Sequence, residues 1–182
     1  MSRTFFLSST LSFALAASFA LGSGALADPA TFTPTPWVGS YAAAAPDQAK
    51  STIDKAIDDG TSSMGMMRRN AARTRLKNTN RPYKQVTITP LGTELVTNFD
   101  GRKYQAPTNG AAEKGKDPDG KTVSLSYKAE GETLKSTYVG EDGEKHIDFE
   151  RTPDGDGLIM HVTVMSKKLP EPIKYSVRYK KR

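Results

Sequence analysis

The chain has 182 residues, 26 Lys+Arg against 20 Asp+Glu, no cysteine, two histidines and 36% hydrophobic residues. Without cysteine there is no disulfide, thiolate metal site, thiol nucleophile or lipoprotein anchor, and two histidines exclude a three-histidine metal site on one chain. The length suits one domain, and the formal charge of +6 favours anionic partners.

The first 27 residues read as a secretory signal peptide. Arg3 supplies the positive start, residues 5–21 are apolar apart from Ser and Thr, and Ala25 and Ala27 form the small-x-small end. Cleavage is expected after Ala27, giving an exported protein, periplasmic or secreted. No Arg pair marks a twin-arginine route. Residues 28–36 carry Pro29, Pro34 and Pro36 and are expected to form an extended leader.

From Trp37 the chain reads as one domain, 37–182. The sequence from Trp37 to Tyr41 predicts a first strand. Asp47 is placed to cap a helix carrying Ala49, Ile53, Ala56 and Ile57 at helical spacing up to Gly60. A second helical stretch is expected from Ser62 or Ser63 to Lys77, with Met64, Met67, Ala71 and Leu76 on one side. One broken helix fits the pattern as well as two short ones, and together residues 47–77 are expected to act as a lid.

Beyond Tyr83 the period changes to two. Val86 and Ile88, then Val123, Leu125 and Tyr127, then Met160 and Val162, then Tyr175, Val177 and Tyr179 each alternate with polar neighbours. Such alternation predicts strands with one dry and one wet face. Asp100-Gly101, Asn109-Gly110, Asp119-Gly120, Asp142-Gly143 and Asp154-Gly155 supply hairpin turns. The Gly-rich, polar residues 106–120 read as a long loop. The fold expected is mainly β: an antiparallel meander closing into a small β-barrel, with the helices inserted after the first strand.

Trp37-x-Gly39-x-Tyr41, a helical insertion and a run of hairpins ending on a Tyr-rich strand resemble the calycin superfamily. The order of elements over 37–181 is closer to fatty-acid-binding proteins than to lipocalins. The resemblance implies a barrel that holds a lipid-like ligand, with Arg-x-Tyr on the last strand gripping its carboxylate. Tyr179 matches the Tyr of that motif, but Val177 stands where the Arg belongs, and Arg178 falls on the wet face with Lys174 and Lys180.

The expected function is therefore non-enzymatic binding of a small apolar or amphipathic ligand, with no cofactor. Its lining is expected from Val86, Ile88, Leu95, Phe99, Val123, Leu125, Tyr127, Leu134, Tyr138, Ile147, Phe149, Met160, Val162, Tyr175, Val177 and Tyr179. The same residues could instead fill a solid barrel. Inward tyrosines need hydroxyl partners, which a wet cavity supplies more easily than a dry core.

No catalytic carrier is visible. His146, on the wet face with Asp148 and Glu150, and His161, in phase with Ile159 and Thr163, read as surface histidines. Asp154-Gly155-Asp156-Gly157 fails as a calcium loop because Met165 occupies the position of the twelfth ligand, and Asp117-Pro118-Asp119-Gly120 fails with Lys128. The most unusual local feature is basic. Arg68, Arg69, Arg73, Arg75, Lys77 and Arg81 follow Met64, Met66 and Met67 with no acid among them. A solvated helix face is one reading, and contact with an anionic membrane or lipopolysaccharide is the other. Nucleic acid is not expected, since no aromatic platform interleaves with the arginines.

Overall fold

The computed structural model describes residues 35–116 and 120–182. The leader expected over 1–27, most of the Pro-rich stretch and the Asp117-Pro118-Asp119 turn lie outside those residues.

Thr35–Trp37 form a short 3-10 turn, and the first strand, β1, covers Gly39–Ala43. It starts later than Trp37 because Pro36, with no backbone N–H, cannot donate to a sheet ladder. Trp37 is buried as an anchor instead, its carbonyl accepting from the Tyr41 hydroxyl at 2.9 Å.

Helix α1 is Pro46–Gly60 and helix α2 is Met66–Thr79. Asp47 does not cap α1. Ala45 holds the N-cap position, Pro46 opens the first turn, where a missing N–H costs nothing, and Asp47 sits inside that turn near the positive end of the helix dipole. Ala49, Ile53 and Ile57 form the buried stripe, and α1 packs on β10, defined below. Two separate helices are present, not one broken one. Thr61 ends α1, its N–H and hydroxyl both donating to the Ile57 carbonyl. Gly65 starts α2, which buries no residue completely. Met64 therefore precedes the helix. Met67 does not share a buried side with Leu76; it is 85% exposed.

The remaining strands are β2 (Gln85–Leu91), β3 (Glu94–Phe99), β4 (Arg102–Pro107), β5 (Glu113–Lys116), β6 (Thr122–Glu130), β7 (Thr133–Gly140), β8 (Gly143–Arg151), β9 (Gly157–Met165) and β10 (Ile173–Lys181). They form one antiparallel sheet in the order β4-β3-β2-β1-β10-β9-β8-β7-β6-β5, rolled into a nearly closed barrel. At the β3–β4 turn Asp100 and Gly101 have φ of 52° and 90°, as a two-residue hairpin requires.

The segment 106–120 is not a plain loop. It ends β4 and contains β5, which pairs with β6 from Glu113↔Leu125 to Lys116↔Thr122. A short Glu-Lys-Gly-Lys edge strand needs only backbone hydrogen bonds, so it carries no alternating pattern to read.

The seam between β4 and β5 is stitched by side chains and loop. The hydroxyls of Thr97 on β3 and Tyr127 on β6 lie 2.6 Å apart, the Gly110 N–H donates to the Tyr127 carbonyl, and Asn109 bridges Lys128.

Register stacks the inward side chains in layers. Ala129, Leu134, Phe149, Met160 and Val177 lie in one row, and Tyr127, Ser136, Ile147, Val162 and Tyr175 in the next. Above them come Leu125, Tyr138, Lys145, Val164 and Ile173. The first row is packed and dry, with Phe149 stacked on Phe99 at 6.3 Å between centroids. The third row is where packing gives way.

Candidate functional site

A cavity of about 800 Å³ lies between α2 and the barrel wall, within the size range of small-molecule sites. Leu76 and Ala72 on α2, Tyr83 before β2, Phe99, Tyr104 on β4, Tyr138, Ile147, Val164 and Leu169 supply its apolar surface. The aromatic rings form one cluster: Tyr83 to Phe99 at 4.6 Å, Phe99 to Tyr104 at 6.0 Å and Tyr104 edge-on to Tyr138 at 5.3 Å.

Of the sixteen residues expected to line a ligand, Phe99, Val123, Tyr138 and Ile147 border this cavity. Val86, Ile88, Leu95, Leu125, Tyr127, Leu134, Phe149, Met160, Val162, Tyr175, Val177 and Tyr179 belong to the buried core. Barrel diameter is fixed by strand number and shear, and aromatic rings from facing strands fill one half of it. Two of the inward tyrosines find partners within the protein, Tyr127 in Thr97 and Tyr175, whose hydroxyl donates to Asn80 Oδ1 at 3.3 Å. The buried Tyr138 and Tyr179 hydroxyls have none at hydrogen-bonding geometry among the described residues. Burial pushes the Tyr127 phenol up to about 12, and those of Tyr138 and Tyr175 upward as well.

The last-strand clamp of the fatty-acid-binding pattern is absent here. Val177 and Tyr179 are buried with no cation between them, and Arg178 is exposed, paired with Asp154 at 2.5 Å.

A different cation faces the cavity. Lys145 is half-buried, directly opposite Tyr138 on β7 and Val164 on β9. Its Nζ donates to the Tyr83 hydroxyl at 3.4 Å and lies 5.8 Å from the centre of that ring. Burial works against its charge while the phenol oxygens of Tyr175 and Tyr83 favour it, and the balance lies above the ordinary lysine value. The signal was present in the sequence, since Lys145 is in phase with Ile147 and Phe149 on the dry face.

Among the described residues the lining holds seven basic side chains and three acidic ones. Asp142, in the β7–β8 turn, is fully engaged: Lys168 at 2.5 Å, Arg75 at 2.8 Å and Lys121 at 3.4 Å converge on it. These neighbours, Lys168 first, hold its carboxyl well below the usual range. Glu144 pairs with His146 at 3.1 Å. The wall is thus electropositive after its own pairs are counted.

The basic run is mostly turned inward on the protein. Arg69 donates to the Met64 and Ser62 carbonyls; Arg73 pairs with Asp58 at 3.0 Å; Lys77 reaches Asp58 at 3.5 Å and Asp54 at 3.8 Å. These contacts staple α2 to α1, and Arg75 ties it to the barrel mouth. Arg68 and Arg81 pair with no acidic side chain among the described residues, and Arg68 borders the cavity. His161 spends its two nitrogens on Glu150 and Ser176.

The fold is that of the fatty-acid-binding proteins. The chain superposes on a Schistosoma mansoni fatty acid binding protein in complex with arachidonic acid with a TM-score of 0.52 at 17% identity, covering 83% of this chain and 99% of that one. A Caenorhabditis elegans lipid binding protein, LBP-8, matches with a TM-score of 0.52 at 11% identity over 84% of this chain and 100% of that one. A secretory abundant heat soluble protein from Ramazzottius varieornatus gives 0.52 at 11% identity over 81% and 96%. No protein-family model and no curated protein matches the chain.

Proposed function

We propose that this chain, built on the barrel of lipid-binding proteins, is an exported binding protein for a small apolar or amphipathic ligand held beneath α2. The observation that carries this reading is the cavity of about 800 Å³ walled by aromatic and aliphatic side chains, at the level where the core stops being solid. Apolar surface left open at such a scale favours a ligand that covers it. The signal-like residues 1–27 support export, with the mature chain starting at Asp28.

Native mass spectrometry of protein purified from its producing cells tests both parts. The expected result is a mass that begins at Asp28 and carries a lipid-sized adduct. Ala72→Trp, which fills the space under α2, should lower the affinity of an added fatty acid at least tenfold with little change in melting. An adduct-free mass together with no uptake of added fatty acid by the wild type would sink the reading.

A second reading follows from one observation. Met66 and Met67 are 76% and 85% exposed at the start of α2, beside Arg68. Flexible thioethers next to a cation suit shallow insertion into an anionic bilayer. The contact is confined to this tip, because Arg69, Arg73, Arg75 and Lys77 are already engaged. Cosedimentation with phosphatidylglycerol vesicles should occur at low salt, weaken as salt rises, and vanish on replacing Met66 and Met67 with Ser. Arg69→Gln with Arg73→Gln should instead lower the melting temperature. Wild-type protein that ignores the vesicles at low salt eliminates this contact.

A further inference from the structure

We infer that Lys145 is the receptor for a monoanionic headgroup, so that the ligand of the cavity is a single-chain anionic amphiphile, anchored by β8 and not by the last strand. The inference rests on the cavity reading above and names the ligand class of that same site.

Position comes first. Strand register sets Lys145 in an inward row with Tyr138 and Val164, and all three border the cavity. A lysine on the dry face of a barrel strand is costly unless its charge is compensated. No carboxylate of the described residues lies within ion-pair distance of it; its contacts are phenols, with Tyr83 Oη at 3.4 Å. An ammonium has three donors, and phenol oxygens accept only partial charge. Of the three acids in the lining, Asp142 is held by three cations and Glu144 by His146, and Glu141 forms no ion pair with Lys145.

The surroundings fix the rest of the ligand. Around Lys145 stand Phe99, Tyr104, Ile147 and Val164, which suit a hydrocarbon chain. One carboxylate-type group at Nζ would complete the charge of the site, with the Tyr83 hydroxyl, which borders the cavity, as a further donor. The last strand offers only Ile173 in the row of Lys145, and Val177 in the dry row where the clamp's arginine would stand.

Calorimetric titration of the mature protein with decanoate and with 1-decanol tests this directly. Wild type should bind decanoate about tenfold or more tightly than the alcohol. Lys145→Met, which keeps the stem and removes the charge, should bring the two affinities together by lowering that of decanoate, and Lys145→Arg should keep the preference. Equal wild-type affinities overturn the assignment of Lys145 and leave the apolar cavity standing. A preference that survives Lys145→Met also overturns it, placing the anion on another cation. Binding of neither compound overturns the cavity reading and this inference with it.

Discussion

Gly157→Ala lowers the midpoint of thermal unfolding by about 10 °C. A Cβ at Gly157 would lie 2.1 Å from the backbone carbonyl oxygen of Tyr179 and 3.2 Å from its carbonyl carbon. No rotamer can relieve a clash with backbone. The strands must part where Gly157 pairs with Lys180, at the end of the eight-pair β9–β10 ladder. Overpacking of this kind costs on the order of 3 kcal/mol, and for a chain of this size each kcal/mol moves the midpoint by roughly 2–4 °C. Gly92→Ala is the control, since its φ of +60° is unfavourable for alanine but its Cβ meets nothing within 4 Å; it should cost about 1 kcal/mol. Equal melting of the two variants would show that the β9–β10 register is wrong.

Tyr127→Phe destabilises the barrel by about 2 kcal/mol, because it strands the buried Thr97 hydroxyl at the β4–β5 seam. Thr97→Val alone should cost a similar amount. The double variant should cost clearly less than the sum, since neither hydroxyl is then left without its partner. Denaturant titration of the four proteins measures the coupling, and simple additivity would mean that the seam is not held by this pair. The same residue contributes an alkaline limb. The folded phenol keeps its proton up to about 12, whereas an unperturbed one releases it near 10. Between those values the native state binds more protons, so stability is complete below pH 10 and falls as pH rises through the interval, by about 2–3 kcal/mol from Tyr127. Tyr138, Tyr175 and Tyr179 are raised by burial in the same direction. Tyr127→Phe should therefore lose less stability than wild type between pH 10 and 12.

The edge of what was legible runs through particular residues. The dry faces of β6 to β10 were readable because burial on one face leaves a period of two, and every residue assigned to them is inward. β5 was not, because Glu113-Lys114-Gly115-Lys116 pairs through backbone alone and exposes both faces. Met67 was placed on an apolar stripe by spacing, yet α2 buries nothing completely and turns Met66 and Met67 outward. Helical spacing says which residues share a side, not whether that side finds a core.

The site divides along the same line. Alternation alone determined the barrel wall, the interior position of Lys145 beside Ile147 and Phe149, and the outward position of Arg178. Period-two patterning and turn chemistry are local, so one strand carries them whole. Only the tertiary structure decided which inward residues fill the barrel and which border empty space, because that depends on ring volumes meeting from opposite strands. It also decided that the basic run is spent largely on Asp54, Asp58 and Asp142. Ion pairs join residues up to 67 positions apart in the chain, and no spacing rule reaches that far. The electropositive cavity is what remains after those pairs have formed.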